Sequence, residues 1–350
     1  MTEIIINAAK SYSAFVGYNL IFDFQKFIPT KFENSKIAII TNQESAKLYL
    51  NPIIASLEAA GFKLCIFVDE INETNKSTDK VSEIIHFLSD NKLTRYDLIL
   101  ALGDGSIIDI VGFCSSIYLR GIHYISIPTT LLPMIDQAIG GKTGINTSDG
   151  KNMLGTIYQP SSVVCDIWML ADKFVYHFEQ AAGEIMKCGA IHDPRLFDDF
   201  VYITSVEHMS SIISRCIRIK SHYIAEDEYE FGQRKILSFG HLIAFAIEQH
   251  SNFTVTHGVA VGIGCAMITK ASETLGYTKS GCYDTMVKIL KKVNLPYHYN
   301  FSLDYLLNYI YQSPYINKNT LDIVLIKDIG SPFIFKLKHN MIANFFGVLF

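Results

Sequence analysis

The sequence predicts an α/β nucleotide-binding domain on a parallel, Rossmann-like sheet, followed by an all-helical domain. Three observations carry this. Strand and helix patterns alternate from Lys36 to Ile127, which argues for right-handed crossovers and a parallel sheet. The strands of that region are near-continuous apolar runs, as expected where both faces of a sheet are covered. Beyond about Phe174 the alternation stops and long helical patterns take over. The two domains are placed at 1–173 and 174–350.

Taken in order, residues 3–8 and 12–17 read as a short strand pair. Lys36–Thr41 (KIAIIT) is a strand, Gln43–Ala60 carries a helical apolar pattern, Lys63–Val68 (KLCIFV) is a second strand and Asp79–Asn91 a second helix. Tyr96–Leu102 (YDLILAL) is a third strand, ending at Gly103-Asp104-Gly105; residues 106–118 read as a helix and Tyr124–Ile127 as a fourth strand. Pro128 to Leu154 reads as a long glycine-rich loop. Helical patterns then cover Glu179–Ile191, Val206–Glu226, Lys235–His250, Val259–Leu275, Tyr283–Val293 and Asp304–Tyr311, with residues 321–327 and 331–336 as a short hairpin.

A chain of 350 residues can hold two domains with real cores. Its formal charge of −4 provides no broad basic field, which argues against nucleic acid as a partner. The seven cysteines are dispersed without a CxxC pair, a pattern of reduced thiols in a cytoplasm. The start, MTEIIINAAK, has no basic region followed by an apolar core, so no signal peptide is expected. No uncharged apolar run reaches about 18 residues, so no membrane span is expected either.

The chemistry concentrates between Pro128 and Leu154, PTTLLPMIDQAIGGKTGINTSDGKNML. Asp136, Lys142, Asn146, Lys151 and Asn152 stand there among Gly140, Gly141, Gly144 and Gly150. Glycine lets a backbone turn tightly or approach a ligand closely, and lysine supplies an ammonium suited to phosphate or carboxylate. The set suits a small polyhydroxylated anion, although a solvated polar loop has the same composition. GGKTGIN followed by GKN, after an IPTTLL strand end, resembles 3-dehydroquinate synthase and its sugar-phosphate cyclase relatives. The resemblance covers nearly the full chain and implies a dehydroquinate-synthase-like fold.

In α/β sheets ligands sit beyond the carboxyl ends of the strands. Gly103-Asp104-Gly105-Ser106 lies at such an end and opens a helix, where free N–H groups and the helix dipole favour a pyrophosphate. This turn is not GxGxxG and is a weak signal alone. The resemblance implies NAD as cofactor. It matches Gly103, Asp104 and Gly105 to a glycine-rich turn, Asp109 to the aspartate that follows, Glu73 and Lys76 to a Glu-x-x-Lys pair, and Thr129 and Thr130 to two threonines on the cofactor. Lys142 and Lys151 are assigned to the cofactor as well as the substrate. The middle glycine of the family turn is Asp104 here, and a carboxylate would repel a pyrophosphate unless it points away.

In the second half, Glu184 and Lys187 (GEIMK) share one helix face. His241 opens the helix of FGHLIAF, and His257 opens that of THGVAVG. One carboxylate and two imidazoles suit a divalent ion with positions left open. With eleven histidines in the chain, spacing alone leaves a capping or surface role open for each; the resemblance assigns Glu184, His241 and His257 as metal ligands, with zinc in first place and cobalt as the alternative. It also implies that Lys220 and Arg234 address a carboxylate, for which an arginine fork is suited. By the same resemblance, Asp136 and Lys187 would orient hydroxyls, and Lys142 and Asn152 would hold phosphate, with Lys151 in the same loop. Arg120 resembles an arginine that the family lends to a neighbour's phosphate site across a homodimer, and Lys318 matches a late phosphate-binding lysine. His250 reads as a helix-end cation. Two positions depart from the family's Asn-x-Gly-His-x-x-x-His: the asparagine is Ser238 and the second histidine Phe245.

What the resemblance implies is a carbon–oxygen lyase, dependent on NAD and a metal, acting on a sugar phosphate without nucleic-acid or membrane partners. The reaction is cyclisation of 3-deoxy-D-arabino-heptulosonate 7-phosphate to 3-dehydroquinate with loss of phosphate, in the shikimate pathway to chorismate and the aromatic amino acids. The route is transient oxidation at the C5 hydroxyl, phosphate elimination, return of the hydride and intramolecular aldol closure. The expected site is a cleft between the domains. Ser238 and Phe245 keep two alternatives open, a cyclase with another substrate and an NAD-binding relative that has lost catalysis. A metal-dependent polyol or glycerol-phosphate dehydrogenase of similar architecture is disfavoured by GKTGIN and GKN.

Overall fold

The apolar runs of the first half form strands β1 (Thr2–Ile6), β2 (Tyr12–Gly17), β3 (Lys36–Asn42), β4 (Lys63–Asp69), β5 (Leu98–Gly103) and β6 (His123–Pro128). A separate hairpin, β7 (Lys142–Thr147) and β8 (Gly150–Ile157), precedes β9 (Ser162–Asp166). This computed structural model describes every residue except 149, 173, 202–205, 314, 315, 317 and 318. The main sheet runs in the order β1-β2-β9-β6-β5-β3-β4. Every neighbouring pair in it is parallel except β1–β2. Every residue of β5 is buried, whereas β4, at an edge, alternates between half-buried and exposed positions. The strand expected at Tyr124–Ile127 is present as β6, and β9, which the sequence patterns did not show, inserts between β2 and β6. With only five residues, β9 is too short for its pattern to separate from the flanking turns.

The residues from Lys142 onward are not a continuous loop. Thr143 Oγ1 donates to the Thr156 carbonyl at 3.1 Å, and the two strands pair from Lys142–Ile157 to Thr147–Gly150. Two glycines permit this pairing: a Cβ on Gly155 would stand 2.4 Å from the Thr143 oxygen, and one on Gly144 3.0 Å from the Leu154 oxygen. Glycine that reads as loop in sequence is here a requirement of close strand contact.

Helices Asn51–Ala59, Thr78–Asp90 and Gly105–Ile117 follow β3, β4 and β5. Gly103 pairs in register with Pro128, and the Thr129 N–H donates to the Gly103 oxygen at 2.9 Å. The loops carrying Glu73 and Lys76, Asp104 to Ser106, and Thr129 to Thr130 leave the carboxyl ends of β4, β5 and β6, of which β5 and β6 are neighbours and β4 is separated from β5 by β3.

The chain forms two compact units, Met1–Phe174 with Ser205–Ala225, and Val175–Thr204 with Glu226–Phe350. Most of the helix Met209–Glu226 belongs to the first, where Lys220 pairs with Asp136 and Ser221 Oγ donates to the Ile5 oxygen at 3.4 Å.

The second unit holds helices Phe174–Ile191, His241–His250, His257–Thr274, Cys282–Lys292 and Leu303–Gln312, with a hairpin of β10 (Thr320–Ile326) and β11 (Pro332–Lys338). The helical pattern over Lys235–His250 is interrupted. Gln233–Ser238 forms tight 3₁₀ turns, the chain reverses at Gly240 with φ +80°, and the α-helix begins at His241. Only glycine adopts that backbone without strain. Among the described residues, no helix is long and apolar enough to cross a membrane.

Helices in the second unit meet backbone on backbone. A Cβ on Gly183 would stand 1.9 Å from the Gly258 oxygen, and one on Gly258 1.9 Å from the Gln180 oxygen. Likewise a Cβ on Gly264 would stand 2.2 Å from the Gly240 oxygen. Neither helix can yield without moving its neighbour. Gly183→Ala should therefore destabilise the protein by about 1–3 kcal/mol, the usual cost of overpacking. Gly262→Ala should do less, since its Cβ would meet the flexible Leu290 side chain at 3.1 Å. Thermal unfolding of the two variants measures this, and equal melting temperatures would contradict the assignment.

Candidate active site

Three of those helices supply one cluster. Glu184, His241 and His257 each offer a ligand atom, all within 4.8 Å of one another. Glu184 Oε1 faces His241 Nε2 at 3.3 Å and His257 Nε2 at 3.5 Å. This oxygen is buried and accepts no hydrogen bond, a state that costs free energy unless a cation meets it. Glu184 Oε2 pairs with Lys187 one turn along. Behind the imidazoles, His241 Nδ1 lies 3.3 Å from the Phe239 oxygen and His257 Nδ1 2.6 Å from Glu248 Oε1. Partners at Nδ1 fix the rings and direct Nε2 forward, as around bound metals. The donor set of two imidazoles and one carboxylate, whose buried Oε1 accepts no hydrogen bond, fits a divalent ion such as zinc.

The charges agree with this geometry. Burial pushes the Glu184 carboxyl up, but Lys187 and the two imidazoles outweigh it and hold it well below the ordinary range. Burial lowers His241, and the Lys187 ammonium adds to that. Burial also opposes charge on His257, yet Glu184 and Glu248 raise it to about 9. A proton on His257 Nε2 therefore competes with an ion for that nitrogen.

A second cluster lies in the first unit. Lys76 is 1% exposed, and its ammonium meets Asp109 Oδ2 at 2.7 Å, Asn152 Oδ1 at 2.7 Å and Glu73 Oε2 at 3.1 Å. Three acceptors match its three N–H donors. Burial would lower this ammonium, but Asp109 and Glu73 raise it; burial pushes Asp109 up to about 6 against the pull of Lys76. Glu73 further meets Lys151 at 3.3 Å and the Ser106 hydroxyl at 3.3 Å. Asn146 ties the hairpin in: its N–H donates to the Lys76 oxygen at 2.9 Å and its Oδ1 accepts from the Asn152 N–H at 2.8 Å. Because Asn152 Oδ1 is occupied by Lys76, its amide N–H groups remain for another acceptor.

Asp104 turns into its own helix. Its Oδ1 accepts from the Ser106 N–H at 2.9 Å and the Ile107 N–H at 3.3 Å. The carboxylate thus caps the helix and occupies two donors that a pyrophosphate would otherwise use. Gly105 packs on Gln137, whose Oε1 would lie 2.0 Å from an added Cβ. The Glu73 carboxylate is 38% exposed; at this helix end the protein has partly capped itself.

Lys220 Nζ donates to both the Asp136 main-chain oxygen, at 2.6 Å, and its Oδ1, at 2.7 Å. Arg234 is 1% exposed and its guanidinium bonds the Glu228 oxygen. Asp227 takes the Phe231, Gly232 and Arg234 N–H groups, wrapping the acidic run into a turn. Thr129 is buried with Oγ1 3.5 Å from Ser45 Oγ, Thr130 immediately precedes a short helix without a side-chain capping bond, and Lys142 and Arg120 are exposed. Lys318 lies outside the described residues. Ser238 Oγ donates to Glu230 Oε1 at 3.4 Å, and both line a cavity of about 310 Å³ beside His241 with Lys235 and Asp322. Sequence reading missed Glu248 and the packing glycines. Nothing in spacing connects Glu248 to His257, but the pairs Gly183-Glu184, Gly240-His241 and His257-Gly258 are a readable signal.

Models of the 3-dehydroquinate synthase N-terminal and C-terminal regions match residues 66–178 and 181–313. A 3-dehydroquinate synthase from Clostridium acetobutylicum is 36% identical over 342 residues, 94% of each chain. The chain belongs to the 3-dehydroquinate synthase family. One from Streptococcus pneumoniae is 36% identical over 306 residues, 85% of this chain and 86% of that one. The family fold recurs in a 2-deoxy-scyllo-inosose synthase solved with carbaglucose-6-phosphate, NAD+ and Co2+, at TM-score 0.87 and 21% identity over 98% of both chains. It recurs in a 2-epi-5-epi-valiolone synthase from Streptomyces hygroscopicus with NAD+ and Zn2+ bound, at TM-score 0.86 and 23% identity over 97% and 96%.

In this member of the family Lys76 has a measurable structural task. Lys76→Met would leave Asp109 buried without its counter-charge, and breaking a buried pair costs about 3–5 kcal/mol. The guanidinium unfolding midpoint should fall accordingly. An unchanged midpoint would show that Asp109 is satisfied some other way.

Proposed function

We propose that this member of the family is an active 3-dehydroquinate synthase, a carbon–oxygen lyase that releases phosphate from 3-deoxy-D-arabino-heptulosonate 7-phosphate. The observation that carries the reading is the cluster of Glu184, His241 and His257 around a buried oxygen without a hydrogen-bond donor, in a chain of this family. Residues 1–173 are proposed as the NAD-binding domain and 174–350 as the metal- and substrate-binding one, in a cytoplasmic homodimer.

Bound NAD supplies a reversible hydride acceptor, and a divalent ion at Glu184, His241 and His257 supplies Lewis acidity at the hydroxyl being oxidised. The chain's own residues do the rest. Glu73 takes ribose hydroxyls. Lys142 and the Asn152 amide, turned outward by Lys76, hold the phosphate and favour its departure, with Lys151 in the same hairpin. Asp136 accepts from a substrate hydroxyl, while Lys187 keeps Glu184 ionised and donates to another. Lys220 and Arg234 are assigned the carboxylate. A cyclase acting on another sugar phosphate is the second reading, favoured by the Ser238 hydroxyl's commitment to Glu230 and by the lack of any donor on Phe245.

Phosphate release from the heptulosonate phosphate, with and without added NAD, tests the reading. Release that depends on NAD and on about one bound divalent ion per chain is expected, and His241→Ala should abolish both metal and activity. No release from this substrate, with release from another sugar phosphate, would favour the second reading. For the homodimer, light scattering should return twice the chain mass; a fully active monomer would remove both the dimer and the role of Arg120.

A further inference from the structure

We propose that the side-chain amide of Gln137, rather than main-chain N–H groups, meets the pyrophosphate of a dinucleotide at the Gly103-Asp104-Gly105 turn. The inference rests on the NAD reading of residues 1–173. The helix Gly105–Ile117 opens with N–H groups that have no carbonyl partner within it. Asp104 Oδ1 accepts from two of them, on Ser106 at 2.9 Å and Ile107 at 3.3 Å. With glycine at position 104 both would be open to an anion. Here the chain's own carboxylate holds them, and a phosphate needs another donor.

Gln137 stands where that donor is needed. Its Oε1, Cδ and Nε2 lie 2.0, 2.5 and 2.6 Å from the position a Cβ on Gly105 would take. The amide therefore lies against the first residue of the helix, and only glycine there admits it. Oε1 is buried and accepts no hydrogen bond, which costs free energy until a donor arrives. Gln137 as a whole is half-buried. An amide has two N–H donors beside its acceptor oxygen, so Nε2 can give to a phosphate oxygen while Oε1 takes a ribose hydroxyl. The turn that carries the residue is tied down. The Asp136 main-chain oxygen accepts from Lys220 Nζ at 2.6 Å and from the Ile139 N–H at 3.0 Å, and the Ala138 N–H donates to the Pro133 oxygen at 3.1 Å. Charge favours an amide over a lysine at this corner. Burial raises the Asp104 carboxyl, and Glu73 and Glu44 raise it further against the two N–H groups that lower it. An ammonium among these carboxylates would pair with them, whereas a neutral amide keeps its donors for the ligand.

The experiment titrates NADH fluorescence with wild type, Gln137→Met, Asp104→Gly and the double variant, and records the melting temperature of each without nucleotide. Gln137→Met keeps the length of the side chain and removes its donors. It should weaken NADH binding at least about tenfold, as for a lost hydrogen bond to a charged group, and leave the melting temperature of the nucleotide-free protein unchanged. In the Asp104→Gly background the same change should cost less than about threefold, because the main-chain N–H groups are open again and the two sites are coupled. If Gln137→Met does not fold, Gln137→Ser, too short to reach the ligand, takes its place with the same expectations; Asp104→Ala replaces glycine in the same way. Wild-type affinity in Gln137→Met overturns the proposal, as does tighter binding, which would make the amide an obstacle. So does an equal loss with and without Asp104, which would separate Gln137 from the turn. A wild type that binds no NADH overturns the NAD reading itself, which distinguishes the two failures.

Discussion

Backbone contact at glycine is the constraint on which the cluster of Glu184, His241 and His257 depends. Gly183 touches Gly258 and Gly240 touches Gly264 with no room for a Cβ between them. Each contact lies next to a member of the cluster in the chain: Gly183 before Glu184, Gly240 before His241 and Gly258 after His257. Helices this close bring short side chains from separate elements to one point, and a close-packed interior lets none of them drift. The cluster is thus held by the helices' backbones rather than by loops, and Phe239 and Glu248 need only set the rotation of the rings.

Buried charge follows one rule in both units. Lys76, Asp109, Glu184 and Lys187 are all buried, and each has an opposite charge in contact. Removing such groups from water is costly unless they are paired and hydrogen-bonded. Pairing here also sets chemistry. Lys76 keeps the Asn152 carbonyl turned inward, and Lys187 keeps Glu184 ionised. Asp104, in place of a glycine, follows the same logic at smaller scale: its carboxylate finds two N–H groups of its own helix rather than standing against an anion.

The two departures at the ligand-bearing turn have separate surroundings. Ser238 lies on the 3₁₀ segment before the Gly240 reversal and gives its hydroxyl to Glu230. Phe245 lies one turn into the following helix, against both imidazoles. They differ from the family pattern together, yet one borders the cavity with Lys235 and Asp322 while the other borders the ligands. Their effects on binding need not be coupled.

By itself the sequence determined the α/β class, the apolar runs that became β3, β4, β5 and β6, and, through GGKTGIN and GKN, the family. These are local properties: periodicity and motif are readable wherever neighbours in sequence are neighbours in space. Tertiary structure decided the rest. Gly144 reads as loop because a glycine required by strand contact has the same letter as one required by a turn. The five residues of β9 became a strand only because β2 and β6 left a gap for them. Eleven histidines look alike until helix packing brings His241 and His257 to Glu184 and places Glu248 behind one of them. Lys220 and Asp136 stand far apart in sequence, and nothing local pairs them. Each of these depends on which backbone comes close to which, and that distance is set by the whole packed core rather than by the residues on either side.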